Sequence, residues 1–491
     1  MNQLSKAVVR QTILSLCVSL GYFGIGLVRG FSAPAIPSIR DTFPELLPGV
    51  HIETWVSSVP PLGAFFGSLV TAVLMHRMGR KFSVLLAAPI WVVSWAFIAL
   101  SQRWEIIMTG RILSGISVGV TLPSAQIYVS ECSDPKIRGV LASFPSIAMS
   151  LGIVFSYVIG SFLTWRQQAW FGCGVAVIQF LAIVFLPESP VWLKSKKKIP
   201  EADNAAEWLA LSGFTTDADQ ANQVKAYKSY SIRALCRRTV LLPLAVGLVL
   251  LVIQQLSGID AVIFFTVEIF RSAGSSINGN IATIIVGLVQ LLSNFASLIV
   301  VDRFGRKPLL IVSGALMSMS MTSMGFAFNL TDHGNHNYGF LPLVSLIVFM
   351  IGFSVGFGCI PFLLMGEIFP TKQRSILSSF AGSFNLLIMF LVIFTYHPLQ
   401  HAITTAGTFW AYAIMCLCGV IFVIFFVPET KGRDLESITL LFQKKSHSRK
   451  VSTMSSGIDE KCGVDNLAMT VTASDVNLAS RSDGMIPVNK T

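Results

Sequence analysis

An all-α membrane protein, with twelve transmembrane helices in two pseudo-symmetric halves of six, is the fold class that this 491-residue chain predicts. Three observations lead there: the composition, the spacing of uncharged runs, and a set of charged motifs that occurs twice. Apolar residues make up 53% of the chain and charged residues only 12%. That is more apolar surface than a water-soluble domain of this length can hide, so lipid is the solvent for most of it.

The elements follow in order from the charges. Runs free of Asp, Glu, Lys and Arg cover 11–28, 54–76, 82–102, 112–130, 139–165, 167–187, 239–259, 272–301, 308–331 and 333–366. Each is long enough for the roughly 20 helical residues that a hydrocarbon core takes. A further run, 375–428, is too long for one helix and contains His397-Pro398 and Thr404-Thr405-Ala406-Gly407, which suit a turn, so it predicts two spans. The resulting organisation is a segment at 1–10, a six-helix half at 11–187, a polar central loop at 188–238, a second half at 239–428 and a tail at 429–491. The first apolar run is too long for a cleavable signal peptide and lacks a small-residue cleavage site. Residues 439–491 carry no apolar period and predict disorder. Lys444, Lys445, Arg449 and Lys450 open that tail as a cluster that attracts anionic lipid.

The repeat joins these spans into two related halves. Arg77-Met78-Gly79-Arg80-Lys81 returns as Arg303-Phe304-Gly305-Arg306-Lys307. Glu131 and Arg138 return as Glu367 and Arg374, and Pro187-Glu188-Ser189 returns as Pro428-Glu429-Thr430. Polar punctuation repeated at offsets of 226 to 241 residues, with apolar filler between, predicts halves related by an axis along the membrane normal. A lone charge at a helix end can simply snorkel to water. Repetition points instead to two clusters of alternating charge, Arg80, Lys81, Glu131 and Arg138 in one half and Arg306, Lys307, Glu367 and Arg374 in the other. Arg111 is expected beside the first cluster. Together they are expected to latch the halves on the cytoplasmic face when the cavity opens outward. Exposed pairs contribute about 0–1 kcal/mol each, so only a network would bias that equilibrium by more.

The net charge of +11 raises the question of nucleic acid, and its distribution answers it. Short loops on one side hold ten Lys and Arg and those on the other hold four, Arg40, Arg103, Arg166 and Arg271. By the positive-inside rule the basic side, the central loop and both termini face the cytoplasm, and no nucleic-acid partner is implied. None of the eight cysteines forms a pair in an outer loop, where oxidation would be expected. Asn329-Leu330-Thr331 is a glycosylation sequon on the outer side, whereas Asn489-Lys490-Thr491 is cytoplasmic. No ATP-binding loop, metal-ligand cluster or nucleophile triad is present, so neither an enzymatic step nor a cofactor is expected.

Gln254 and Gln255 lie near the middle of span 7, followed by Gly258. Such amides serve either to bond a neighbouring helix or to hold a hydroxyl-rich solute, which must exchange its water hydrogen bonds for protein ones. Asp260 is an intramembrane carboxylate, which is expensive and by default a functional candidate. It either carries a proton or pairs with Arg29 on span 1, the symmetry mate of span 7. Pro60-Pro61, Pro145 and Pro361 mark helix kinks.

Across about residues 10–440 the chain resembles the sugar-porter family of the major facilitator superfamily. The resemblance rests on Gly110-Arg111, Glu131 to Arg138-Gly139, Pro187-Glu188-Ser189-Pro190, Gln254-Gln255-Leu256-Ser257-Gly258-Ile259, Asp302-Arg303-Phe304-Gly305-Arg306-Lys307 and Pro428-Glu429-Thr430-Lys431-Gly432-Arg433. Arg29-Gly30-Phe31-Ser32-Ala33-Pro34 and Gly366-Glu367-Ile368-Phe369-Pro370 bring it nearest to the insect facilitated trehalose and hexose carriers. The resemblance implies a carrier that moves a sugar downhill by alternating access across the plasma membrane, with sugar and lipid as partners and no obligate protein partner. It implies sugar contact by Gln254, Gln255, Gln290 and Asn385, with Asp260 shaping or charging the site. A proton-coupled symporter and a non-transporting sugar sensor are the alternatives. The chain departs from the family pattern at Asp260 in place of Asn, at Phe264-Phe265 in place of tyrosines, and at Ser146, Cys359, Leu386 and His76. These changes remove hydrogen-bond groups and stacking faces, which leaves trehalose and a hexose such as glucose both open as the cargo.

Overall fold

A computed structural model of the chain describes residues 3–211, 238–274, 277–333, 339–370 and 373–431. The first six spans are α1 (Gln3–Thr42), α2 (Val50–Met78), α3 (Arg80–Ala99), α4 (Trp104–Glu131), α5 (Arg138–Phe162) and α6 (Trp165–Val184). Two short helices follow, α7 (Pro190–Ser195) and α8 (Ile199–Leu209). The second half contains α9 (Arg238–Leu256), α10 (Ile259–Ser272), α11 (Gly279–Phe304), α12 (Arg306–Asp332), α13 (Leu341–Val355), α14 (Ile360–Ile368) and α15 (Arg374–Phe426). No strand occurs among the described residues.

Among the described residues, eleven apolar helical segments are long enough to cross a membrane, the last running from Ile376 to Phe426. That 51-residue segment is two spans, because Ile403 (φ −131°) and Thr404 (φ 68°) leave helical geometry. We call its arms α15a (374–403) and α15b (404–426). The break falls at the threonine cluster expected from the sequence, and His397-Pro398 stays inside the first arm. The count is therefore twelve.

Span 7 is divided between α9 and α10. Gly258 at φ 86° supplies the left-handed residue that starts α10, a conformation a β-carbon penalises. Span 10 is divided likewise between α13 and α14. Lipid-facing stripes are visible where helical spacing predicts them: Phe66, Leu69, Val70 and Val73 all lie exposed on one face of α2. A water-soluble protein would have no use for such a stripe.

Helix pairing repeats between the halves. In the first, α1 packs on α5, α2 on α4 and α3 on α6; in the second, α9 packs on α15, α11 on α13 and α12 on α15. The halves themselves meet along α1–α10, α2–α15 and α5–α11. Gly26 and Gly152 let α1 and α5 approach until a β-carbon on either would collide with the other helix's backbone.

Part of the expected central loop is helical. Ala202, Ala205, Ala206 and Leu209 give α8 one buried face, and Ala202 and Ala205 pack with Leu193 of α7. Arg10 donates to the Trp208 carbonyl (2.8 Å) and Gln11 to that of Leu209 (3.0 Å), tying α8 beneath α1. The rest of that loop and the tail beyond Lys431, including its basic cluster, lie outside the described residues.

Candidate functional site

The bundle has two ends. Spans join at one through residues 78–80, 131–138, 304–306 and 368–374, which we call the basic end. They join at the other, the far end, through residues 42–50, 99–104, 162–165, 272–279, 332–341 and 403–404.

At the basic end each half closes a charge cluster on itself. Gly79 at φ 104° and Gly305 at φ 88° turn the chain from one span into the next, so that the amides opening α3 and α12 point at a carboxylate. Glu188 accepts from the Arg80 and Lys81 amides (2.9 and 3.0 Å), and Glu429 accepts from those of Arg306 and Lys307 (3.1 and 3.0 Å). A carboxylate there satisfies orphan donors and complements the helix dipole. Arg80 pairs with Glu131 at 2.9 Å and Arg306 with Glu367 at 3.0 Å. Ser189 donates to Glu131, and Thr430 donates to Glu367 at 2.5 Å. Lys81 and Lys307 reach the carbonyls of Val184 (2.8 Å) and Ile424 (2.7 Å). Burial would raise the pKa of Glu429, but amides of Lys431, Arg306, Lys307 and Thr430 outweigh it and hold the carboxyl below its ordinary value.

Two expectations change here, for Arg111 and for the pair Arg138 and Arg374. Arg111 is not part of this cluster: it lies twenty residues before Glu131 on the same helix, about 30 Å at 1.5 Å per residue. It is completely buried, donating to the carbonyls of Val56 (3.2 Å) and Val28 (3.1 Å) and to Ser32 (2.5 Å), with Phe31 under its guanidinium. Its charge binds α4 to α1 and α2. In this conformation every partner of Arg80, Glu131, Arg306 and Glu367 described above belongs to the same half, whereas the latch between halves is expected of the outward-open one. The paired arginines do not complete the clusters: Arg138 donates to the Ser133 carbonyl (3.2 Å), and the Nε and Nη2 of Arg374 meet no partner among the described residues.

Midway through the bundle the structure gathers the expected amides. Gln255 donates to Asn385 (3.1 Å), Asn385 donates to Gln254 (3.3 Å), and Gln254 donates to the Phe357 carbonyl (2.6 Å). All three are buried, and Gln255 Oε1 keeps an unused acceptor. They tie α9, α15a and the break of span 10 together, so in this conformation they bond neighbouring helices. Gln290 is buried on α11, and the hydrogen bonds that link the triad do not include it. A central cavity of about 40 Å³ opens beside them. Its walls are Ile25, Val28, Pro60, Pro61, Met149 and Phe264, among others, with Arg29 as the polar lining residue. Sites that enclose a small solute usually measure about 300–1,000 Å³, so the cavity is narrow in this conformation. Arg29 forms an ion pair with Asp260, whose side chain is only 1% exposed. The pair crosses from α1 to α10 and therefore joins the halves.

From that pair to the far end the halves stay joined. Arg40 of α1 chelates Glu53 of α2 with two bonds and lies 3.9 Å from Glu268 of α10. His397 of α15a stands 3.9 Å from Glu268, and Arg271 pairs with Asp41 at 3.4 Å. Trp55 packs on Phe390 and Phe394 across the same seam, and Tyr157 donates to the Ile263 carbonyl (2.8 Å). Among the described residues, the ion pairs that join the halves all lie at Arg29–Asp260 or beyond it toward the far end. Sequence reasoning did not single out Glu53, Glu268 or His397. The available signal was acidic residues at helix ends on the side where basic ones are sparse. Asn329, the expected glycosylation site, is half-buried in the last turn of α12 at this end.

Two six-helix halves around a central cavity, joined by ion pairs from mid-bundle to one end and each closing its own charge cluster at the other, define a membrane carrier of the alternating-access class. Residues 15–442 match the family described as "Sugar (and other) transporter". The chain belongs to that family. It is 36% identical over 445 residues to the facilitated trehalose transporter Tret1 of Culex quinquefasciatus, covering 88% of this chain and 86% of that one. It is 34% identical over 462 residues to Tret1 of Bombyx mori, covering 92% and 90%. The inward-open xylose transporter XylE from E. coli has the same fold, with a TM-score of 0.74 at 23% identity over 87% of this chain and 98% of that one.

Proposed function

We propose that this member of the sugar transporter family is a facilitative carrier of trehalose or a hexose such as glucose, seated in the plasma membrane with its basic end and both termini in the cytoplasm. The far end is then extracellular, and the conformation is one in which the outer gate is shut. The observation that carries this reading is the seam itself: the joined halves block the far side of the central cavity, while each charge cluster at the basic end holds only its own half. The names of the Tret1 relatives support trehalose, and the buried amides Gln254, Gln255, Gln290 and Asn385 support a hydroxyl-rich solute. The triad lies within one half, so a sugar entering the cavity takes over its bonding capacity by rotation of these side chains rather than by their separation.

Asp260 bears on energy coupling. Its engagement by Arg29 is the arrangement of a counter-ion, which favours uniport over proton symport. The test is tracer uptake of trehalose and of glucose into vesicles containing only this protein. Uptake that equilibrates, exchanges with internal sugar and ignores a protonophore is expected. Accumulation that collapses with the protonophore would establish symport instead, and no uptake of either sugar would overturn the carrier reading.

A further inference from the structure

We infer that Arg29 and Asp260 act together as a charge filter at the sugar site, accepting uncharged sugars and excluding anionic ones such as hexuronates. The inference rests on the proposed sugar-carrier function and adds the substrate property that the site selects.

Eleven of the twelve residues lining the central cavity are apolar, and Arg29 is the other. A guanidinium in such a wall is a strong anion receptor, since it offers a fork of donors matched to a carboxylate and the surroundings screen its charge poorly. Asp260 cancels that character. It sits behind Arg29 with its side chain 1% exposed, whereas the arginine side chain keeps 21% exposure. The wall therefore presents donors without presenting net charge.

The carboxylate is fixed by more than its partner. Asp260 occupies the first turn of α10, immediately after the left-handed Gly258, where the helix dipole favours a negative group. Ala261, Ile263 and Phe264 of the same helix are buried and apolar, and Arg29 is the cation with which Asp260 pairs. An anionic sugar that took Arg29 would strand Asp260 as an unpaired buried charge and bring two negative groups together. A neutral polyol incurs neither cost. It accepts from the guanidinium at the cavity wall and leaves the Arg29–Asp260 pair intact behind it. Asparagine, the residue that the sugar-porter resemblance leads one to expect at 260, would leave the arginine unneutralised, so the two charges are understood only as a pair.

The test uses the full chain in lipid vesicles, with labelled glucose, trehalose and glucuronate as probes. In the wild type, excess glucuronate is expected not to compete with neutral-sugar uptake. In Asp260→Asn, the ratio of glucuronate to neutral-sugar uptake is expected to rise by about tenfold or more, and to fall back in the double variant Arg29→Gln/Asp260→Asn. The exchanged pair Arg29→Asp/Asp260→Arg is expected to keep the low ratio. Competition by glucuronate in the wild type overturns the filter, as does an Asp260→Asn carrier that moves neutral sugar and no glucuronate. If Asp260→Asn fails to fold, wild-type competition and the exchanged pair decide. If the wild type carries no neutral sugar, the proposed function falls separately, and the filter is then decided by whether glucuronate raises the unfolding temperature of Asp260→Asn but not that of the wild type.

Discussion

The two ends of the bundle are built on opposite plans. At the basic end the same constellation occurs twice, and each copy is satisfied within its own half: Arg80 with Glu131 and Ser189, Arg306 with Glu367 and Thr430. From mid-bundle to the far end the described ion pairs are not duplicated, and several reach across: Arg29 to Asp260, Arg271 to Asp41, and Arg40, chelated to Glu53 of its own half, toward Glu268. Repetition therefore marks what holds a half together, and its absence marks what joins the halves. A carrier needs both, because its halves must stay rigid while the contact between them breaks and reforms.

The largest effect expected from disturbing this contrast is at the buried pair. Arg29→Ala or Asp260→Ala leaves an uncompensated charge and should cost about 3–5 kcal/mol in denaturant unfolding. The double substitution should cost less than either single one, and equal or greater cost would show that the pair is not a unit. Next come the basic-end carboxylates. Glu131→Gln and Glu367→Gln should each cost about 1–3 kcal/mol, and the two should add within about 0.5 kcal/mol because each cluster is closed. A strong coupling between them would mean that the clusters bridge the halves after all. Smaller again is the turn that aims the amides at Glu429. Gly305→Ala places a β-carbon at φ 88° and 3.0 Å from that carboxylate, for a cost of about 1–2 kcal/mol. Gly366→Ala, whose β-carbon would meet nothing within 4 Å, is the matched control and should cost nothing.

The smallest effect is a pH dependence. Because the folded protein holds Glu429 below its ordinary pKa, its contribution is fully present above the unfolded value and is lost as pH falls through the folded one. Glu429→Gln should therefore cost about 1 kcal/mol at neutral pH and nothing in strong acid, as read from unfolding curves across the acid range. A cost that persists unchanged in acid would show that the ionised form is not what caps α12.

What the sequence made legible divides along the same line. Twelve spans were readable because uncharged runs have a fixed minimum length, and even the break inside the longest run was marked by its threonine cluster. The intra-half clusters were readable because they repeat, although their direction of closure was not: charge order along a chain does not say whether Glu131 faces its own half or the other. Arg111 misled because a charge near a motif invites the same assignment. Twenty residues of helix put it toward the far end, bonded to backbone carbonyls that leave no pattern in a sequence. Glu53, Glu268 and His397 were silent for a related reason, since a contact between distant unrepeated residues has no signature along the chain. The amides Gln254, Gln255 and Asn385 were found, but the bonds they make to one another became visible only with the fold.

As a gate, the far-end seam must part for transport to occur. On a cysteine-free background, Asp41→Cys and Arg271→Cys replace a pair that meets at 3.4 Å across that seam, where a short reducible crosslinker can join them. Sugar uptake by the crosslinked carrier in vesicles should be abolished and should return when the crosslink is reduced. Full uptake with the seam quantitatively crosslinked would contradict the account.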